Sequence, residues 1–298
     1  MRLRSKTIKI AAVLTVSFFA ALIVFIVRPP VLIISDLSFA GLYGKNRLRS
    51  ETAYSSFVLF RRLKYVAVAD DAGDDIVLTA VEKASLGPFC VIFPLRFAKV
   101  ARSFREKNPA VPVVILEGRS NTEDNPVDFA IGGNTEDYFI YKTDISADFY
   151  RAGLAAAIID GDKSERIAVF LEPNINIQAK DAFLKAQNDI NKPQQTSFFT
   201  VFSQFSGNQG ISCVVLGGIG AEYLDKYSGI PVIFFTWINP ELIPLDVVLV
   251  FNDSPPIQIV PAVRMVQSGM TKGKIQSKIL FTGGKGVDKV TVRKLRKI

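Results

Sequence analysis

Short apolar runs recur along the chain and alternate with segments whose apolar positions return every three to four residues. The first series is VLIISD (Val31–Asp36), KYVAVAD (Lys64–Asp70), FCVIFP (Phe89–Pro94) and VPVVILEG (Val111–Gly118). YFIYKTD (Tyr138–Asp144) then reads as a strand crossing between domains. A second series follows: RIAVFLE (Arg166–Glu172), TSFFTVF (Thr196–Phe202), ISCVVLGG (Ile211–Gly218), IPVIFFTW (Ile230–Trp237) and DVVLVFND (Asp246–Asp253). Apolar runs of this length, bounded by polar or turn residues, are the pattern of strands buried on both faces. Between them, helices are predicted over Leu48–Leu63, over Asp74–Ala84 with acidic residues in its first turn, and over Leu95–Asn108, where Leu95, Ala98, Ala101 and Phe104 share a face. Three more are predicted: Ser146–Gly161 capped by Ser146, the stretch 176–190, and Ser254–Gly269, which opens on prolines as helix starts permit.

Strands alternating with helices predict parallel sheets with right-handed crossovers. Because the series restarts, the expected fold is α/β with two Rossmann-like lobes. The first spans 30–144 and is joined by the returning helix 254–270; the second spans 145–253. Hinges are expected near Asp144 and Asp253. The stretch 271–298 is expected as a basic C-terminal tail in which KILFTGG and DKVTVRKL make a closing hairpin or an edge strand. A length of 298 residues suits two domains on a prior of ~150 residues each.

The ends change this picture. The net charge is +8, but the basic residues crowd the termini: Arg2, Arg4, Lys6 and Lys9 at one, Lys289, Arg293, Lys294, Arg296 and Lys297 at the other. No basic stripe interleaved with aromatics crosses the body of the chain, so nucleic acid is not an expected partner. At the start, a basic MRLRSKTIK precedes Ala11–Val27, which is apolar apart from Thr15 and Ser17. LIVFIVRPP offers no small-x-small cleavage site, and no Cys follows that could be acylated. Residues 1–29 are therefore expected to be an uncleaved signal anchor, a single transmembrane helix with its N-terminus in the cytoplasm. A cleaved signal peptide is the competing reading. Either one places Pro29 onward outside the cytoplasm, in the periplasm or its equivalent.

The chain has no histidine, which removes the commonest general base and metal ligand. Cys90 and Cys213 sit in apolar runs and read as small core residues. LGGIG (Leu216–Gly220) lacks dinucleotide-loop spacing and TGGKG (Thr282–Gly286) lacks P-loop spacing. The acidic loop Asn121–Asp128 fits no cation-ligand spacing and reads as solvated. The expectation is a protein that is not an enzyme, with no cofactor and no metal.

Three stretches resemble a known superfamily. DISADFYRAGLAAAIIDGDKSERIAVFLE, FAKVARSFREKNPAVPVVILEG and ISDLSFAGLYG are similar to segments of the type 1 periplasmic binding proteins. Within these the nearest likeness is to the basic-membrane-protein family of nucleoside-binding lipoproteins, with sugar-binding proteins next. The likeness runs from Val31 to about Gly269, in pattern more than identity. It implies two lobes closing on a small polar ligand, with Phe39 stacking on a base or sugar and Asp36 beside it. It also implies polar groups at the second lobe's strand ends: Glu172, Asn174 and Asn176, then Trp237 and Asn239, then Asn252 and Asp253. The family's Asp after the fifth strand of that lobe is replaced here by FFTWINPE, and the lipoprotein Cys is absent.

Each candidate has a plainer reading beside it. Asp36 suits a helix cap as well as a ligand contact. Phe39 is one of 23 Phe, and most buried Phe pack cores. Glu172, Asn174 and Asn176 suit a solvated turn, Trp237 a plug over a sheet edge, and Asp253 a turn and cap. The expected function is a solute-binding protein that closes on a sugar or nucleoside. Its partner would be an ABC permease if it serves uptake and a membrane receptor if it serves sensing. The alternatives are an envelope interaction protein with a degenerate cleft, and a glycosyltransferase-like enzyme on the same fold.

Overall fold

The structure, a computed structural model, describes residues 2–118, 135–161, 166–171, 177–190, 195–200, 210–217, 229–236, 247–282 and 287–298. Its core is two six-stranded sheets. The first contains β1 (Val31–Asp36), β2 (Leu63–Val68), β3 (Cys90–Pro94), β4 (Val113–Gly118), β5 (Phe139–Thr143) and β11 (Lys272–Ile275), in the order β11-β5-β4-β3-β1-β2. The second contains β6 (Arg166–Leu171), β7 (Gln195–Phe199), β8 (Ile211–Gly217), β9 (Val232–Phe235), β10 (Val247–Asn252) and β12 (Lys278–Phe281), in the order β12-β10-β9-β8-β6-β7. Every pairing is parallel except β12 on β10.

Burial follows from the runs. Val31 to Ile34, Cys90 to Phe93 and Val113 to Ile115 have almost no exposed surface, because helices cover both faces of the first sheet. On one face α4 (Asp74–Ala84) and α5 (Ala98–Lys107) bring Val77, Val81, Val100 and Phe104 onto Leu32, Ile34 and Phe93. On the other, α3 (Lys45–Leu59) and α8 (Pro255–Ser268) bring Leu59, Ile259 and Val263 onto Val31, Ile33 and Ile92. In the second lobe, α6 (Ile145–Asp160), α7 (Ile177–Asp189) and α9 (Lys289–Leu295) cover one face of the sheet.

The chain passes between the lobes three times. Asp144 links β5 to α6, Asp253 and Ser254 link β10 to α8, and Gln276 and Ser277 link β11 to β12. The first two passages leave from the C-terminal ends of strands, and the third starts at the C-terminal end of β11. Since Lys278 at the start of β12 pairs with Asn252 at the end of β10, all three join the C-terminal edge of one sheet to the C-terminal edge of the other. The two sets of strand-end loops therefore face one gap.

Three expectations are corrected. The stretch from Thr271 is no tail: β11 closes the first sheet, β12 edges the second, and Lys289–Leu295 is a helix packed in the second lobe. Asp288 caps that helix, accepting from the backbone of Val290 and Thr291, which outweighs the β-branched pattern of KVTV. The helix expected over Leu48–Leu63 runs Lys45–Leu59 and stops at Phe60, whose φ of 49° is left-handed; no Gly marks that end. A further helix, α2 (Leu37–Tyr43), follows β1 directly.

Candidate functional site

In each sheet the strand order reverses at one point, between β1 and β3 in the first and between β6 and β8 in the second. Helices on either side of such a point leave in opposite directions and open a crevice outside the strand ends, where open α/β sheets take ligands. In the first lobe, Asp36 ends β1 and Arg96 follows β3. The Arg96 Nη1 donates to Asp36 Oδ2 at 2.8 Å, and its Nη2 donates to the Asp70 carbonyl at 3.3 Å. The guanidinium lies 4.3 Å over the Phe97 ring, which limits its rotation.

Asp36 does several jobs. Its Oδ1 accepts from the Phe39 N–H at 2.6 Å, capping α2, and from Ser38 Oγ at 2.9 Å. The Ser38 N–H in turn donates to Asp70 Oδ1 at 3.2 Å. Asp36, Ser38, Asp70 and Arg96 thus form one polar cluster across the ends of β1, β2 and β3. Arg96 keeps two fifths of its side chain exposed, so the cluster presents a fixed cation and carboxylate oxygens to the gap. This is a set of donors and acceptors for hydroxyl groups.

Phe39 lies in the first turn of α2. It is only 7% exposed and stacks on Tyr43 at 5.3 Å, with 20° between the rings. Tyr43 ties this packing to the hinge: its hydroxyl donates to Glu51 and accepts from Ser254 Oγ at 3.3 Å. Burial, with the Glu51 carboxylate adding, pushes the Tyr43 phenol well above its usual range.

Asp253 lies in the second passage. It is 8% exposed, and Thr143 Oγ1 at the end of β5 donates to its Oδ2 at 3.5 Å. It joins two of the passages between the lobes. Glu172, Asn174, Asn176, Trp237 and Asn239 lie outside the described residues, as do the loop 121–128 and most of LGGIG and TGGKG. The strands ahead of them end at Leu171, Gly217 and Phe235, at the same edge as the first lobe's cluster faces.

Two groups escaped the reading of the sequence. Arg96 follows an apolar run, as Glu172 does, and the strand-end rule that singled out Glu172 would have found it. Asp148 carried a weaker signal, an acid three residues before Arg151 in the first turn of α6. Its carboxylate is 1% exposed. It accepts from the Ser277 N–H at 2.9 Å, from the Ser277 hydroxyl and from Arg151, while Arg151 also donates to the Ser277 carbonyl at 2.8 Å. Burial raises the Asp148 carboxyl above its ordinary value, and Ser277 and Arg151 pull it back. The Asp144 N–H donates to the Ile275 carbonyl at 2.7 Å, so the first and third passages are bound together.

No protein-family model matches the sequence, and no curated protein is similar to it. Solved structures do match. A transcriptional activator of the comK gene from Bacillus halodurans superposes with a TM-score of 0.60 at 11% identity, covering 90% of this chain and 95% of that one. An ABC transporter solute-binding protein from Conexibacter woesei gives 0.59 at 10% identity, covering 91% and 94%. An ABC transporter periplasmic solute-binding protein from Actinobacillus succinogenes, solved with bound D-allose, gives 0.55 at 12% identity, covering 91% and 100%. The fold is that of the type 1 periplasmic binding proteins. At 10–12% identity the likeness is one of fold, and the closer tie to the basic-membrane-protein family stays a resemblance of sequence. Within the type 1 fold, Asp36 and Arg96 lie at the crevice of the first lobe and Asp148 beside the third passage between the lobes.

Proposed function

We propose that this chain is an extracytoplasmic sugar-binding protein that closes its two lobes on the ligand. The observation that carries the reading is the Asp36–Arg96–Asp70 cluster at the first sheet's reversal point, facing the second lobe's strand ends. A sugar presents hydroxyls in several directions, and a bidentate cation beside carboxylate oxygens pairs with them. The D-allose held by the Actinobacillus protein lends support from the same fold, and the neighbours are solute-binding proteins and a regulator rather than enzymes. Closure would turn on Asp144, Asp253 and Ser277 as a hinge.

The anchor belongs to the same proposal. Helix α1 (Arg2–Val27) is 26 residues long. From Ala12 to Val27 its side chains are exposed on every side, Phe25 being half-covered. A helix apolar all round is stable only when covered by protein or lipid. Among the described residues no helix is long and apolar enough to cross a membrane, and the side chains of α1 are described only from Ala12. An ABC permease is the fitting partner for uptake.

The test is a thermal-shift screen of the full chain in nanodiscs against pentoses, hexoses, nucleosides and amino acids. A sugar at about 100 times its Kd should add about 2.7 kcal/mol to apparent stability. Asp36→Asn keeps the helix cap, and Arg96→Gln leaves the core untouched; each should weaken sugar binding by about tenfold or more, the worth of one charged hydrogen bond. A folded chain that no sugar stabilises overturns the reading.

A further inference from the structure

The edge of the first lobe opposite the crevice carries an exposed apolar and basic surface. The starts of β1, β2 and β3 are level, Val31 pairing with Leu63 and with Cys90. Three segments meet there: Arg28–Pro30, Phe60–Arg62 and Leu86–Phe89. The Val31 N–H donates to the Arg62 carbonyl at 2.9 Å, the Phe89 N–H to the Pro30 carbonyl at 2.8 Å, and Arg61 Nη1 to the Pro29 carbonyl at 3.3 Å. Leu86 is 98% exposed and Phe57, in the last turn of α3, is 79% exposed. Tyr54, one turn earlier, and Phe60 are exposed as well. No ion pair engages Arg28, Arg61 or Arg62 among the described residues. Arg28 lies 5.3 Å over the Phe60 ring, and Phe60 meets Phe25 of α1 at 5.7 Å.

The short connection to α1 decides what covers this surface. The helix ends at Val27 and β1 begins at Val31, so four steps of chain, about 14 Å at full stretch, separate them. Pro29 and Pro30 stiffen that connection. A bilayer's headgroup layer is about 5–7 Å deep on each side. With α1 in the membrane, the edge holding Phe57, Leu86 and the arginines reaches the headgroups. Exposed aromatic rings, and arginines with no carboxylate partner among the described residues, are the chemistry of that layer; Arg61 also lies 3.9 Å over the Phe89 ring.

We propose that this edge of the first lobe rests in the headgroup layer of an anionic phospholipid bilayer, with Phe57, Phe60 and Leu86 inserted and Arg28, Arg61 and Arg62 on lipid phosphates. The proposal rests on the reading of α1 as an anchor. It places the lobe's sheet upright on the membrane, with the crevice at the far end and the second lobe beyond it, free to close.

The test uses the full chain in vesicles of phosphatidylcholine with phosphatidylglycerol. Cys90 and Cys213 are buried, and burial pushes the Cys90 thiol up to about 12, so a maleimide fluorophore goes to an introduced cysteine. Leu86→Cys and Phe57→Cys carry the probe at the edge, and Leu184→Cys, on α7 of the second lobe, is the reference. Lipids brominated in the upper acyl chain should quench most of the fluorescence at 86 and 57 and leave 184 unchanged. Quenching at 86 and 57 should fall when phosphatidylglycerol is omitted. Alkaline carbonate extraction, run in parallel, reads the anchor. Retention with no quenching at 86 and 57 overturns the docking and leaves the anchor standing. Loss of the chain to the supernatant overturns both. Probes shielded from aqueous iodide yet unquenched by bromolipid would mean that protein covers the edge, which also overturns the proposal.

Discussion

Helices α5 and α6 each cover one face of a six-stranded sheet, and they do it with opposite side-chain chemistry. Helix α5 is amphipathic: Ala98, Val100, Ala101 and Phe104 face the first sheet. Its outer side carries Arg102 paired with Glu106 at 2.9 Å, and Lys107 paired with Glu82 of α4 at 3.2 Å. Helix α6 is buried nearly all round, through Phe149, Ala152, Gly153, Ala155, Ala156 and Ala157. It lies between the second sheet, α7 and α9. Phe149 there stacks on Phe235, and Phe235 on Phe251, each at 4.6 Å. Two sheets of one strand order, differing in the direction of one edge strand, are thus held by different means. In the first lobe bulky residues meet the sheet from one side of each helix and water meets the other. In the second a small-residue helix is itself core, and its first turn holds the hinge.

The largest effect should come from breaking the hinge end of α6. Asp148→Ala leaves Arg151 and the Ser277 N–H buried beside an absent partner, and should cost about 3–5 kcal/mol in chemical denaturation of the full chain. Glu106→Ala, its counterpart on α5, breaks only an exposed pair and should cost under about 1 kcal/mol. Equal losses would erase the contrast. The pH dependence sharpens it. Burial, the main influence, raises the Asp148 carboxyl above its ordinary 3.8. The folded chain then binds that proton more tightly than the unfolded chain does. The stability this site contributes is full below 3.8 and is lost as pH rises through the native value. Asp148→Asn has no such proton, so the wild-type chain should gain on it as pH falls from about 7 towards about 4. Parallel profiles would mean the carboxyl is not perturbed.

Next comes the approach of α6 to α7. A Cβ on Gly153 would sit 2.5 Å from the Phe183 carbonyl oxygen and 3.0 Å from the Ala186 Cβ. The first is backbone within a helix and cannot swing away. Gly153→Ala should therefore destabilise by about 2–3 kcal/mol, the upper part of the range for overpacking, despite the better helix propensity of Ala.

Much of this was legible in the sequence, for physical reasons that can be named. Val31–Ile34 and Val247–Phe251 are apolar at every position and fully buried in their sheets, and the restart after Asp144 marks the second lobe. Asp36 was legible as a strand-end acid, and the structure makes it cap and ion-pair partner together. The third passage was not legible. Gln276 and Ser277 have no turn signature of Pro or Gly, and Ser277 matters through Asp148, 129 residues away. The ring direction of Phe39 was not legible: the sequence shows that an aromatic follows the strand, and the structure stacks it on Tyr43, one helical turn on. Helix α9 was read as a strand because its β-branched residues outweighed the Asp288 cap.

A smaller effect than that of Gly153→Ala is expected from the same substitution in the first lobe, which tests the same contrast. Gly273, in edge strand β11, has as little room as Gly153. A Cβ there would lie 2.6 Å from the Tyr141 ring and 2.8 Å from Met265 Sδ. Both neighbours are side chains. Met265, on α8, has an unbranched chain that can change rotamer at little cost, and Tyr141 lies next to the open edge of the sheet, since β11 is its outermost strand. A β-strand also gains from losing a glycine, whose unfolded chain is freer. Gly273→Ala should accordingly cost about 1 kcal/mol, near the low end for overpacking, against about 2–3 kcal/mol for Gly153→Ala. The measurement is paired urea denaturation of the two full-length variants. If Gly273→Ala proves as damaging as Gly153→Ala, the first lobe is as tightly specified as the second, and small-residue packing does not distinguish them. If the gap holds, the lobe nearer α1 has the give to accommodate its neighbours while the second lobe keeps its shape and moves as one body on the hinge.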